Sequence, residues 1–250
     1  MGRLILPDWP APPQIKSLMT TRAGGVSAVP YASFNLGRHV QDDPAAVAAN
    51  RALLRQMLPS EPVWLNQIHG TSVVEANTAS GVPDADASFS RQPGAVCAVL
   101  TADCLPVLFC SRDGGVVAAA HAGWRGLAAG TLEATLAAMD VPPGEVMAWM
   151  GAAIGPGAFE VGAEVRTTFI QSHPEAVSAF VRVPQQGIAP TAPAEKWLAD
   201  IYKLARIRLN ASGITAVYGG GLCTYADAAR FYSYRRDGQT GRMASLIWIE

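Results

Sequence analysis

Short apolar runs punctuated by glycine, proline and aspartate dominate the first half of this chain, and they narrow the folds open to it. The runs are Pro62 to Leu65, Ser72 to Glu75, Val96 to Thr101, Val107 to Cys110 and Val116 to His121. Several are apolar at consecutive positions rather than alternate ones, which predicts strands buried on both faces of a covered sheet. Between and after them lie helical patterns. Asp43 to Leu58 opens on an acidic cap with Pro44 in its first turn, and Gly126 to Met139, Gly162 to Ser172 and Lys196 to Ser212 supply three more helices. Further strands are expected at Val146 to Met150, at Thr215 to Gly219 beyond the helix stop Gly213, and at Arg242 to Ile249. Strands and helices mixed in this way predict an α/β or α+β fold with layered sheets.

With 250 residues, 50% of them hydrophobic and only 16% charged, residues 1–250 are expected to bury one large core as a single domain. No repeat or long linker divides the chain, and Pro184 to Pro193 reads as a surface loop. A net charge of -1 gives no electrostatic case for nucleic acid or an anionic membrane, so a small-molecule substrate is expected. The apolar run at the N-terminus is too short for a signal peptide. The longest apolar stretch, Ala95 to Cys110, carries Asp103 and Pro106, so a soluble, cytoplasmic protein is expected. Four cysteines, three of them in that stretch, predict reduced thiols rather than a disulfide scaffold.

Three residues in these sparsely charged segments carry chemical potential. They are His69 in Asn66-Gln67-Ile68-His69-Gly70, Cys104 in Thr101-Ala102-Asp103-Cys104-Leu105-Pro106, and His121 in His121-Ala122-Gly123-Trp124-Arg125-Gly126. Each adjoins a strand end or tight turn, where ligands meet the sheet in layered folds. Imidazole and thiolate both suit zinc or copper, and three protein ligands leave a position open for water or substrate. Taken singly, a cysteine here is a small core hydrophobe and a histidine a hydrogen-bonded structural residue. Without metal, Cys104 and His121 would suit a thiolate with its general base. His69 discriminates, because such a dyad needs no third soft ligand. Asp103, in an apolar run, needs a partner or a wet cleft if it is buried.

Other motifs admit two readings. Arg125 opens a helix where it could help hold an anion, or it stacks on Trp124 at the surface. Gly151 to Pro156 is a close-approach loop without a dinucleotide fingerprint. Tyr234-Arg235-Arg236-Asp237-Gly238 with Gly241-Arg242 reads as a hairpin with a solvated basic tip, the alternative being arginines presented to phosphate. His39 and His173 lie on polar stretches and receive no role.

The runs around His69, Cys104 and His121, together with Phe231-Tyr232-Ser233-Tyr234-Arg235-Arg236-Asp237, resemble the YfiH-like laccase-domain family. Thr21 to Ser27, Phe34-Asn35-Leu36-Gly37 and Gly155 to Gly162 extend the resemblance over almost the entire chain. It implies two mixed β-sheets flanked by helices in four layers, related to the cysteine-hydrolase domain of cytotoxic necrotizing factors. It also implies a zinc site, with copper as the alternative, on His69, Cys104 and His121. On that basis Cys104, His121 and Asp103 are the catalytic candidates, and Arg125, Asn66 and Gln67 the substrate-binding ones. The implied activity is zinc-dependent cleavage of adenosine, inosine or methylthioadenosine by phosphate, with adenosine deamination. The alternatives are peptidoglycan-editing amide hydrolysis of a UDP-muramoyl-amino acid and copper-dependent polyphenol oxidation. A multicopper oxidase needs many histidines, and this chain has four; Gly157 and Ala158 also stand where other members carry cysteines.

Overall fold

The computed structural model describes residues 4–184 and 195–250. The loop expected from Pro184 to Pro193 lies, beyond Pro184 itself, outside those residues. In chain order the elements begin with β1 (Leu4–Ile5), β2 (Ile15–Thr20) and α1 (Pro44–Arg55). They continue with β3 (Val73–Glu75), β4 (Ala87–Ser90), β5 (Cys97–Thr101), β6 (Leu105–Ser111) and β7 (Val117–Ala122). Next come α2 (Trp124–Ala129), α3 (Thr131–Met139), β8 (Val146–Met150), β9 (Glu160–Gly162) and α4 (Ala163–Ser172). The last are β10 (Phe180–Arg182), β11 (Lys196–Ala199), α5 (Ile201–Ala211), β12 (Ala216–Gly219), α6 (Tyr234–Asp237) and β13 (Met243–Ile249).

A six-stranded sheet in the order β12-β8-β6-β7-β4-β3 forms the centre; it is mixed, with β12·β8 and β3·β4 parallel and the other pairs antiparallel. A four-stranded sheet, β1-β2-β13-β5, is antiparallel throughout, as is a small sheet of β10-β11-β9. The two mixed sheets implied by the family resemblance are thus one mixed sheet and one antiparallel sheet, with a third, small sheet added.

The unbroken apolar runs are explained by what lies on each face. Leu105, Val107 and Phe109 of β6 pack with Leu127, Leu132, Phe169 and Leu209 from the helical layer, whereas Leu108 and Cys110 point to the opposite side. There they meet Met19, Val99 and Ile247 of the four-stranded sheet. The outer face of that second sheet, through Leu18, Leu100 and Leu246, is covered by Leu54 of α1 and by Phe34 and Trp64. Helix, sheet, sheet and helices form four layers, and β6 has no solvent face on which a polar residue would be tolerated.

Helix ends follow local chemistry. Asp43 accepts a hydrogen bond from the Ala45 N–H at 2.9 Å with Pro44 in the first turn, and Asp200 accepts one from the Lys203 N–H at 3.0 Å. The expected helix from Gly126 to Met139 starts earlier, at Trp124, and is split at Gly130, whose φ of 103° is left-handed and closes α2 before α3 begins. The expected helix from Lys196 to Ser212 loses its first turn: Lys196 to Leu198 pair with β9, and the Asp200 cap sets the true start. Pro62 to Leu65 is not a named strand; Val63 makes an isolated bridge to Cys97. The predicted hairpin at Tyr234 to Arg242 is instead a single helical turn, α6, capped by Ser233, whose Oγ accepts from the Arg236 N–H at 3.2 Å. No helix among the described residues is long and apolar enough to cross a membrane.

Candidate metal centre

The chain brings His69, Cys104 and His121 together. One ligand atom from each lies within 4.8 Å of the other two, Cys104 Sγ is 3.7 Å from His69 Nε2, and the two imidazole rings meet edge to face at 4.7 Å. Exposure falls steeply across the set: His69 is exposed, Cys104 half-buried and His121 only 3% exposed. The cluster is therefore anchored in the central sheet and open to solvent on one side.

Each position depends on its local fold. His121 is the next-to-last residue of β7, paired opposite Pro106 of β6. Cys104 follows Asp103, a non-glycine residue at φ 91°, in the turn from β5 to β6. The Asp103 side chain compensates for that strain. Its Oδ1 accepts from the Thr224 hydroxyl at 2.6 Å, its Oδ2 from the Arg235 N–H at 2.7 Å, and its carbonyl from the Ile154 N–H at 2.9 Å. The partner that burial demanded is present, and both carboxylate oxygens are engaged away from the thiol.

His69 also has positive φ, at 60°. Its turn is held by Asp86, a fully buried acid that carried no recognised signal in the sequence. Asp86 Oδ2 accepts from the Gly70 N–H at 2.6 Å and the Ile68 N–H at 3.3 Å, and Oδ1 from the His69 N–H at 3.0 Å. The same Oδ1 lies 2.8 Å from His121 Nδ1. With Nδ1 donating to this carboxylate, His121 is left with Nε2 as its lone-pair nitrogen, the usual outer support of a metal-bound histidine. Asp86 immediately precedes β4, which pairs with β7. One carboxylate thus orients the His121 imidazole and holds the turn that carries His69.

The electrostatics favour a thiolate. Burial opposes the charged form of Cys104, but His121 and His69 outweigh it and lower the thiol to about 6. Burial likewise opposes charge on His121, yet the Cys104 thiolate and Asp86 raise it to about 9. At Cys97 and Cys110 burial outweighs the opposing effects of Ser88 and Arg112 respectively, and both thiols are pushed up to about 12. Gly123 makes the approach of the ligands possible: a Cβ there would lie 2.8 Å from His69 Cδ2 and 3.0 Å from Cys104 Sγ. Two imidazoles and an ionised thiol converging on one point suit zinc or copper.

The cluster lines a cavity of about 640 Å³. Trp124, Ile154, Phe159 and Ile201 give it an apolar wall, and His39, Thr101, Tyr234, Arg235 and Arg242 contribute polar groups. The sequence-derived candidates Asn66, Gln67 and Arg125 also line it. Asn66 donates to Asp84 at 2.7 Å. The Gln67 amide is occupied at both ends by Leu100, donating to its carbonyl and accepting from its N–H, each at 2.8 Å. Arg125 is exposed, its guanidinium 4.6 Å from the Trp124 ring centre, as in the stacking alternative. Arg236 is no solvated tip: it donates to the carbonyls of Thr224, Tyr225 and Phe231. His173 pairs with Glu175 elsewhere.

Known proteins place this arrangement in context. The family model described as multi-copper polyphenol oxidoreductase laccase matches residues 16–250. A protein of Pseudomonas aeruginosa named purine nucleoside phosphorylase is 57% identical over 250 residues, covering all of both chains. YfiH of Escherichia coli, also named purine nucleoside phosphorylase, is 51% identical over 255 residues, again with full coverage. A crystal structure of a Neisseria meningitidis protein superposes with a TM-score of 0.91 at 53% identity, covering 99% of each chain. YlmD from Geobacillus stearothermophilus, at 29% identity, reaches 0.81 over 95% of this chain and 93% of its own. Likeness of this extent, in sequence and in fold, means that the chain belongs to the laccase-like YfiH family.

Proposed function

We propose that this chain is a cytoplasmic, zinc-dependent purine nucleoside enzyme, acting as one domain over residues 1–250. It cleaves adenosine, inosine and methylthioadenosine with phosphate to the free base and ribose 1-phosphate, and it deaminates adenosine. The observation that carries this reading is the full-length likeness to proteins named purine nucleoside phosphorylase, at up to 57% identity among those described above. The cavity supports it, since about 640 Å³ lined by both apolar and polar groups suits a nucleoside.

His69, Cys104 and His121 would hold the metal, with copper as the alternative to zinc. When bound, zinc supplies Lewis acidity and, for deamination, the activation of water. The residues of the chain supply the rest. Asp86 holds the proton on His121 Nδ1 and fixes the His69 turn. Asp103 shapes the Cys104 turn, a positioning part rather than proton transfer, because both its oxygens are engaged. Trp124, Ile154 and Phe159 would cover the purine and exclude water. In phosphorolysis the glycosidic bond breaks, its electron pair leaves with the base, which takes up a proton, and a phosphate oxygen bonds to the sugar carbon. Asn66, Gln67 and Arg125 are the wall positions assigned to substrate.

Peptidoglycan-editing amide hydrolysis is the second reading, and one observation favours it: Cys104, His121 and Asp86 follow the thiolate, imidazole and carboxylate order of a cysteine hydrolase. The convergence of His69 on the thiol ranks it second. Copper-dependent polyphenol oxidation by several copper centres lacks donors, since one three-donor cluster is present among the described residues.

The test is metal analysis joined to a mass-spectrometric product screen, offering the purified protein adenosine with phosphate, a UDP-muramoyl-serine and a phenol. About one zinc per chain, adenine and ribose 1-phosphate are expected, with metal and turnover both lost in Cys104→Ala. Nucleoside cleavage retained by that variant would overturn the proposal.

A further inference from the structure

Arg242 has no part in the chemistry described so far, yet the chain builds a cradle around it. A Cβ on Gly37 would lie 2.8 Å from Arg242 Cγ and 3.2 Å from Arg242 Cβ, so only glycine lets the arginine stem pass. Asn35 Oδ1 accepts from the Gly37 and Arg242 N–H groups, each at 2.9 Å, and the Leu36 N–H donates to the Arg242 carbonyl at 3.2 Å. Within the run Phe34-Asn35-Leu36-Gly37, a motif without a functional role until this point, Asn35 and Leu36 therefore fix the Arg242 backbone and Gly37 leaves room for its stem. Arg242 Nη1 donates to the carbonyls of Thr240 and Gly241, both at 3.0 Å. Its Nε and Nη2 make no hydrogen bond among the described residues, and the side chain lines the cavity that contains Cys104.

A second observation is independent of that arginine. Thr101 lines the same cavity, is 2% exposed, and its hydroxyl has no hydrogen-bond partner among the described residues. It pairs with Met243 across β5 and β13, next to Arg242. A buried hydroxyl left unpaired is uncommon and calls for a ligand or ordered water. His39 lines the cavity from the turn Arg38–Val40. Burial, Arg242 and Arg51 hold its pKa below the ordinary value, leaving a neutral ring with one N–H to donate.

The other arginines are less suited. Arg125, stacked on Trp124, and Arg235, bonded through Nη1 to the Glu160 carbonyl, are both exposed, whereas Arg242 is half-buried; Arg236 is taken by three carbonyls and Asp237. A guanidinium fixed before the anion arrives loses less freedom on binding and offers a planar pair of donors to two oxygens. Asp103, the acid lining the cavity, has both oxygens occupied and so little capacity to compete for those donors.

We propose that Arg242, with the Thr101 hydroxyl and the His39 ring, forms the subsite for inorganic phosphate as the second substrate, beside Cys104. This assignment rests on the phosphorolysis reading. Arg242 is a binding residue here, and Asn35 and Gly37 are positioning residues that act through it.

Initial rates would be measured over a range of phosphate at saturating inosine, for the zinc-loaded wild type, Arg242→Gln, Arg242→Lys and Thr101→Val. Arg242→Gln is expected to raise the phosphate KM by about 10- to 100-fold with zinc content and inosine KM unchanged. Arg242→Lys should recover part of the loss, because it restores the charge without the fork. Thr101→Val removes an unpaired hydroxyl, so it should keep its thermal midpoint while its phosphate KM rises several-fold; this variant keeps the test open if Arg242→Gln unfolds. Phosphate-dependent cleavage by wild type with unchanged phosphate KM in the variants overturns the subsite and leaves the function standing. If wild type cleaves inosine at a rate independent of phosphate, the phosphorolysis reading falls. Titration of inorganic phosphate followed by 31P NMR then decides the subsite by itself: binding lost in Arg242→Gln supports it, and binding unchanged refutes it.

Discussion

Replacing Asp86 by asparagine isolates the carboxylate that organises both histidines. Its two oxygens accept from the N–H groups of Ile68, His69 and Gly70 and from His121 Nδ1, at distances between 2.6 and 3.3 Å. An asparagine has one acceptor oxygen. Its amide nitrogen would face either Gly70 and Ile68 or His69 and His121, so donors oppose donors at two contacts whichever way it turns. At about 1–3 kcal/mol for each buried group left unsatisfied, Asp86→Asn should lower folding stability by about 2–6 kcal/mol. The loss should be visible in urea unfolding of metal-stripped protein at neutral pH. Zinc affinity, read by competition with a chromophoric chelator, should fall by about 10- to 100-fold as the His121 tautomer loses its anchor. Burial favours the neutral carboxyl of Asp86, but His121 and the Gly70 N–H prevail and hold its pKa below the ordinary value. The carboxylate's contribution is therefore present above the unfolded-state pKa near ~4 and is lost as pH falls through the folded-state value, so the gap between wild type and variant should narrow in acid. A neutral-pH stability difference below about 1 kcal/mol, with zinc affinity within about threefold of wild type, would refute the idea that this carboxylate supports the site.

Two further outcomes test the packing and electrostatics. Gly123→Ala would set a methyl 3.0 Å from Cys104 Sγ and 2.8 Å from His69 Cδ2. The exposed His69 should be displaced, weakening zinc binding while the metal-free thermal midpoint stays within a few degrees; undiminished zinc affinity would count against the close approach. In metal-stripped protein near neutral pH, iodoacetamide should label Cys104 well before Cys97 and Cys110, because its thiol is lowered to about 6 and theirs are raised to about 12. Peptide mass spectrometry after timed quenching reads the order, and prior labelling of Cys97 would contradict the charge assignment.

The sequence carried the metal candidates because histidine and cysteine stand out in apolar surroundings, and the three residues do meet. Strand β5 of the four-stranded sheet and strands β6 and β7 of the central sheet were equally readable, since all three are buried at every position. Asp86 carries the same kind of signal as Asp103, an acid between the small apolar residues Ala85 and Ala87 at a buried strand that needs a partner, but with no histidine or cysteine next to it the signal is faint. The helix break at Gly130 is a local left-handed glycine cap inside an otherwise helical pattern, whereas the strand at Lys196 depends on pairing with β9 far back along the chain, which no local pattern encodes. The Tyr234 to Arg242 segment misled because its glycines suggest a turn, whereas the Ser233 cap starts a helix. Arg242 was legible in the sequence as one of several arginines that this segment could present to phosphate, but not as the fixed one, because the residues that fix it are Asn35 and Gly37, some two hundred positions earlier.

The place of β13 bears on how the protein comes into being. This strand, residues Met243–Ile249, lies between β2 and β5. During synthesis, β2 and β5 leave the ribosome long before the strand that joins them. Until then the four-stranded sheet has a gap at its centre, with two unpaired edges and an apolar face that nothing has yet sealed. Arg242, immediately before β13, reaches its cradle only as that gap closes. A nascent or truncated chain lacking this strand should therefore be a client for chaperones and should lack the Arg242 cradle, so that completion of the sheet and completion of the cradle coincide.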